Sequence, residues 1–245
     1  MLMHDHEEGL FPPLQNRTIW RYVDFTKFVS LLECQQLWFA RADQFEDPYE
    51  GTWSTAGIKL LRDPSHPLQL PPTAVDQIVS FSTQQREEMF ISCWNASEHE
   101  SAAMWKLYLQ SNEGVAIRSD YDSLAAVLER SSLKAGISMV QYVDYERVVV
   151  PFGNAFFPFL YKRLSFAHEN ELRAVIWAID SINRPQIQKG STAVTIDVKA
   201  DELIKSVYVS PAAPKWFGQL IEQVIRRYGL QILVVRSTLY DRPLF

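Results

Sequence analysis

The sequence predicts an α+β fold, a single domain in which helices flank a mixed, curved β-sheet. Three observations predict it. Short runs rich in β-branched and aromatic residues alternate with amphipathic runs of helical period. The second half of the chain is rich in such strand-like runs. No linker or internal repeat divides the sequence, so residues 1–17 read as a flexible arm and 18–245 as one α+β domain.

The elements follow in order. Thr18 to Val23 reads as a strand through Ile19, Trp20, Tyr22 and Val23. Thr26 is the expected N-cap of a helix whose apolar period runs through Phe28, Val29, Leu31 and Leu32. "QQLWFARA" returns as a strand and ends at the "FEDPYEG" turn, where Asp47-Pro48 supplies the turn chemistry. Pro64, Pro67, Pro71 and Pro72 mark a loop, and "TAVDQIVSFSTQQREE" a helix. "MFISCWN" is a buried strand, and Ser97 or Ser101 caps the helix "ASEHESAAMWKLYLQS". "EGVAIRSD" is a strand, "YDSLAAVLERSSL" a helix, "GISMVQYVDYERV" a strand and "PFLYKRLSFAHENE" a helix or helical turn. "LRAVIWAI", "AVTIDVK" and "IKSVYVSP" are strands. "APKWFGQLIEQVIRRYGL" is an amphipathic helix and "QILVVRSTL" a closing strand.

A net charge of −5 argues against a general polyanion binder. Two cysteines, Cys34 and Cys93, set up no disulfide framework. No apolar run reaches the length of a membrane span, and the N-terminus lacks the apolar core of a signal peptide, so a cytoplasmic protein is expected. The glycines form no phosphate-binding loop. His66, His99 and His168 lack metal-ligand spacing, and "HDHEE" sits in the arm.

The stretch "SFAHENELRAVIWAI" poses the main question. Glu169, Glu171 and Arg173 alternate ahead of Val175, Ile176, Trp177 and Ile179. In a strand from Glu169 to Ile179 the three charges share one face, with Leu172 and Ala174 on the other. A solvated strand end looks like this. So does a carboxylate pair at the rim of a pocket. "FEDPYEG" crowds Glu46, Asp47 and Glu50 beside Phe45 and Tyr49, more acids than a turn needs. Asp47 is expected to brace backbone amides and Glu50 to meet Arg173. Trp105 and Tyr108 are three apart on one helical face, a spacing that suits a core as well as a pocket rim. Cys93 with a histidine base, or Asp197-x-Lys199 as part of a metal site, are chance-level patterns.

Together, "WRYVDFTKFVSLLECQQLWFARADQFEDPYEG", "FISCWNASEHESAAMWKLYLQSNEGVAIRSD" and "HENELR" resemble the DUF2971 family of uncharacterised bacterial proteins. Glu46 departs from the Asn common there. The order of parts also resembles ADP-ribosyltransferases. Arg21 and Tyr22 match the first strand, Ser92 and Trp94 the middle one, and Glu169 and Glu171 the acid entry of a later one; a Ser-Thr-Ser triplet is absent. That resemblance implies an NAD-dependent transferase or NAD-cleaving enzyme of a toxin or phage-defence type, with NAD as substrate and no metal. It casts Glu171 as the catalytic acid and Glu169 as its helper. Arg21 would hold the diphosphate, with Tyr22 and Ser92 beside the cofactor and Trp94 or Tyr108 stacking on nicotinamide. Asp47, Glu50, Trp105 and Arg173 would brace the pocket rim. The target would be a protein or nucleic acid. A metal-dependent nuclease or phosphodiesterase built on the acids, and a non-catalytic interaction or sensing domain, are the alternatives.

Overall fold

The computed structural model describes residues 10–13, 15–109 and 111–243. "HDHEE" and much of the expected arm lie outside them. The described elements are β1 (Thr18–Asp24), α1 (Phe25–Cys34), β2 (Gln36–Arg41), α2 (Thr55–Arg62), α3 (Pro72–Gln85), β3 (Met89–Ala96), α4 (Ala102–Tyr108), β4 (Gly114–Asp120), α5 (Tyr121–Arg130), β5 (Gly136–Met139), β6 (Gln141–Val143), α6 (Phe157–Leu160), β7 (Tyr161–Arg163), β8 (Glu171–Trp177), β9 (Ala193–Asp197), α7 (Ala200–Leu203), β10 (Ser206–Val209), α8 (Lys215–Arg227) and β11 (Leu233–Arg236). The fold class is α+β with mixed strand pairing, as the sequence predicts.

The chain forms two compact units. Unit 1 takes the described residues up to Pro12, then Phe39–Ser92 and Leu133–Val194; unit 2 takes Pro13–Trp38, Cys93–Ser132 and the chain from Thr195. Strands β2, β3 and β9 each contribute residues to both.

In unit 1, β8 pairs with β3 and antiparallel with β5, setting Arg173 opposite Ser138 and Leu172 opposite Met139. Flanked on both sides, β8 is buried on both faces from Glu171 to Ile176. Its hydrophobic run is therefore continuous rather than alternating. β6 and β7 form a separate parallel pair, Tyr142 opposite Lys162. In unit 2, β1 pairs antiparallel with β4 and with β3, and β4 with β10, while β10 and β11 run parallel. One face of β1 sends Trp20 and Tyr22 into a cluster with Met104, Trp105 and Ala116. Helix α8 buries Phe217, Ile221 and Ile225, spaced i, i+4, i+8 on one stripe.

Several elements differ from the sequence reading, each for a local reason. Asp24, not Thr26, caps α1: its Oδ1 accepts from the Lys27 amide at 2.8 Å and from the Thr26 hydroxyl at 2.6 Å. Asp24 sits in extended conformation where the backbone leaves the strand, as an N-cap must. Ser101 caps α4. Residues 157–169 are not one helix. A short helix, the strand β7 and a 3-10 turn over Leu164–Glu169 share the segment. The strand after it starts at Glu171, because Asn170 is left-handed with φ 39° and closes the turn. Asn tolerates that region better than most residues, and the "EN" pair is the signal for it. Glu169 therefore ends the turn instead of opening the strand.

Candidate functional site

The charged residues of unit 1 meet at the entry of β8. Arg173, 1% exposed, spends its fork on three acceptors. Nη1 and Nη2 reach Glu50 Oε1 and Oε2 at 2.5 and 3.0 Å, Nη1 also reaches the Phe159 carbonyl at 2.6 Å, and Nε reaches Glu171 Oε2 at 2.5 Å. The expected meeting of Glu50 and Arg173 is present, and bidentate. Lys162 on β7 donates from Nζ to Glu169 Oε2 and, at 2.8 Å, to Glu171 Oε1. Glu171 thus has one cation on each oxygen. Glu169 pairs with Lys162 rather than with Arg173. Tyr142 accepts the Glu171 amide on its hydroxyl at 2.9 Å.

These contacts set the protonation states. Burial alone would raise Glu171, but the charges of Arg173 and Lys162 win and hold it well below the usual carboxylate range. Burial, with the Glu171 carboxylate against it, pushes Glu169 up to about 7. Burial works against the Lys162 ammonium, yet the Glu171 charge and the hydrogen bonds to Glu169 and Glu171 together outweigh it and the pKa is raised. Burial, then the Glu171 charge, raises Tyr142; burial, then the Glu50 charge, raises Tyr145.

The acidic turn lies beside this cluster. Asp47 Oδ1 accepts from the Tyr49 amide at 3.0 Å, as expected of a turn aspartate, and also from Arg163 Nη2 at 2.8 Å. The Arg163 guanidinium lies 4.2 Å from the Tyr49 ring centroid and 5.3 Å from that of Phe166. Glu46 points to solvent.

The other candidates sit elsewhere. Ser92 is fully buried in the unit 1 part of β3. In unit 2, the Tyr22 hydroxyl is buried and accepts the Ser101 amide at 2.7 Å, and burial pushes its pKa up to about 12. Trp94 is 1% exposed, with an indole N–H that has no hydrogen-bond partner. A ring so enclosed offers no face to an incoming nicotinamide. Trp105 belongs to the aromatic core, not to a rim, and donates to Glu100 Oε2 at 2.8 Å. Tyr108, at 46% exposure, does not share its buried face, because α4 ends at that residue. Arg21, half-buried, donates from Nη2 to the Trp38 carbonyl at 3.1 Å and lies 5.7 Å from the Trp94 ring centroid; burial pushes its pKa down to about 10.

Lys162 is the functional candidate that sequence reasoning missed. A signal existed: three acids converging on one arginine demand a second cation, and "YKR" is the basic run just ahead of them. Among the described residues no three His, Cys, Asp or Glu side chains converge as metal ligands. Of the acids a nuclease would use, Asp47, Glu50, Glu169 and Glu171 pair with arginine or lysine, and Glu46 is exposed. No helix of the described residues is long and apolar enough to cross a membrane.

No family model and no curated protein matches this chain. Among solved structures, Thermus sp. 2.9 DarT in complex with NAD+ is similar at 7% identity and a TM-score of 0.41, covering 93% of this chain and 97% of that one. The same protein in complex with carba-NAD+ is similar at 8% identity and 0.38, covering 92% and 96%. Identities and scores this low leave the function to be argued from the chain's own residues.

Proposed function

We propose that the chain cleaves the nicotinamide–ribose bond of NAD and passes ADP-ribose to a protein, a nucleic acid or water, with the acid pair at the entry of β8 as its reactive element. One observation carries this reading: two neighbouring glutamates sit in unlike surroundings, Glu171 with a cation on each oxygen and Glu169 raised by burial and by the Glu171 carboxylate beside it. Pairs of acids pushed apart in this way mark acid–base assignments. The sequence favours Glu171 as the reacting acid. The geometry favours Glu169, because Glu171 is saturated by Lys162 and Arg173 and its side chain is 4% exposed, against 11% for Glu169. A carboxyl that titrates near neutrality can accept a hydrogen bond from a ribose hydroxyl and take the proton of the attacking acceptor. As the bond to nicotinamide breaks, its electron pair leaves with that ring and positive charge grows on the ribose. Nearby carboxylate charge stabilises that state. Arg21, in unit 2, is a separate candidate and is tested separately.

The same burial favours a rival reading, in which the five charges are a structural clasp with no chemistry. Nicotinamide release and transfer of label from adenine-labelled NAD, measured with and without cell lysate, separate the two. The transferase reading expects turnover by the wild type. It expects Glu169→Gln to lower it about 10²-fold or more while the folded protein persists. A wild type that neither releases nicotinamide nor transfers label hands the site to the clasp.

A further inference from the structure

We propose that the charge cluster of unit 1 folds around one proton, carried by Glu169 and shared with Glu171, so that the junction of the 3-10 turn with β8 is a proton-sensitive latch. This goes beyond the NAD reading and does not depend on it. The argument is a count of charges. Among the described residues the cluster holds three buried carboxylates, Glu50, Glu169 and Glu171, and two buried cations, Lys162 and Arg173. Fully ionised, it carries one surplus negative charge in a largely buried site, where an uncompensated charge is expensive. A proton removes it.

The geometry says which acid takes the proton. Glu50 is gripped on both oxygens by Arg173, and Glu171 has a cation on each oxygen. Neither keeps an oxygen without a cation on it, and Glu171 is held as a carboxylate. Glu169 shares its Lys162 with Glu171, which brings the two carboxyl groups side by side. Two carboxylates placed there repel, whereas a hydroxyl on Glu169 can donate to Glu171. Lys162 reaches both partners and fixes their spacing.

Every charged or titratable group around the pair fits this assignment. On β7, Lys162 faces both acids, and Arg163 is committed to Asp47. On β8, Arg173 is committed to Glu50 and Glu171. On β6, Tyr142 stays neutral, since burial raises its pKa. On the turn itself, His168 is exposed, with Nδ1 against the Ser165 carbonyl. Glu169 ends the turn, and left-handed Asn170 separates it from Glu171. Losing the proton sets two anions against each other across that one residue.

The sign of the effect follows. Folding raises the proton affinity of Glu169, so its stabilisation is complete below the ordinary glutamate value of 4.5 and is lost as pH rises through about 7. Glu171 acts oppositely, losing its contribution only as pH falls through its own depressed value. Between about pH 5 and 7, one extra bound proton changes the folding equilibrium constant by up to about tenfold per pH unit.

Urea unfolding of the full chain from pH 5 to 8.5, without NAD, tests this for the wild type and Glu169→Gln. The amide keeps the shape and the donor but cannot ionise. The expected result is a pH slope smaller by one proton in the variant, and a variant more stable than the wild type at pH 8.5. Equal slopes overturn the proposal. Infrared spectroscopy of the wild type gives a second measurement, valid even if the variant does not fold. A protonated-carboxyl carbonyl band at pH 6 that fades by pH 8.5 supports the latch, and its absence at pH 6 ends it. NAD turnover enters neither measurement, so the two proposals fail separately.

Discussion

Two arginines on inner strands show two ways of holding a charge. Arg173 in unit 1 sits at 1% exposure with its donors committed to two carboxylates and a carbonyl. Arg21 in unit 2 is half-buried, leaning on a backbone carbonyl and an indole face, and burial lowers its pKa to about 10. The first arrangement is bought with anions, and removing one member strands the others. The second leans on a carbonyl and a ring and retains some access to water. Burial of charge therefore says little about function until the partners are known.

Substitutions break or sharpen the contrast, and their effects grade from large to small. Arg173→Leu leaves Glu50 and Glu171 buried without their guanidinium. It is expected to cost about 3–5 kcal/mol in denaturant unfolding, or to yield no soluble protein. A loss under 1 kcal/mol would show that water reaches the cluster. Gly51→Ala comes next. Gly51 has φ +71°, its amide donates to the Pro158 carbonyl at 3.1 Å, and a Cβ there would lie 2.5 Å from the Phe159 ring. Strain and collision together should cost about 1–3 kcal/mol, and they would move the Phe159 carbonyl that Arg173 uses. A stability equal to wild type would mean that the turn relaxes freely. Arg21→Ala removes the hydrogen bond to the Trp38 carbonyl and the contact with the Trp94 ring, for about 1–2 kcal/mol. If it costs as much as Arg173→Leu, the contrast fails. Lys59→Ala breaks the exposed pair with Glu146, at 2.7 Å, and should leave the denaturant midpoint unchanged, because water screens such a pair.

Much of the element order was legible because local pattern dominates it. The alternating run of β1 and the i, i+4, i+8 stripe of α8 are each decided by a few neighbours. The entry of β8 was half legible. Glu50 and Arg173 were matched because opposite buried charges need one another. The start of the strand was misplaced, because Asn170 takes a left-handed turn that alternation does not report. Lys162 was hidden because "YKRLSFAHE" carries a helical period, and only pairing with β6 makes its first three residues a strand. Trp94 and Trp105 read as pocket residues because aromatic rings suit ligands and cores equally. Burial decides between those uses, and burial is a property of the whole unit.

The bidentate pair has a consequence for how the protein is made. Glu50 and Arg173 lie 123 residues apart in sequence. A ribosome adding about 5–20 residues per second needs roughly 6–25 s to travel between them. For that interval the acidic turn has been synthesised and its arginine has not. Unit 1 must keep Glu50 in water, and with it the Gly51 turn unlocked, until β8 leaves the exit tunnel. Translation pauses placed far enough beyond β8 for it to have left the tunnel would favour closure, and earlier pauses would prolong the open state, without altering a single residue of the finished protein.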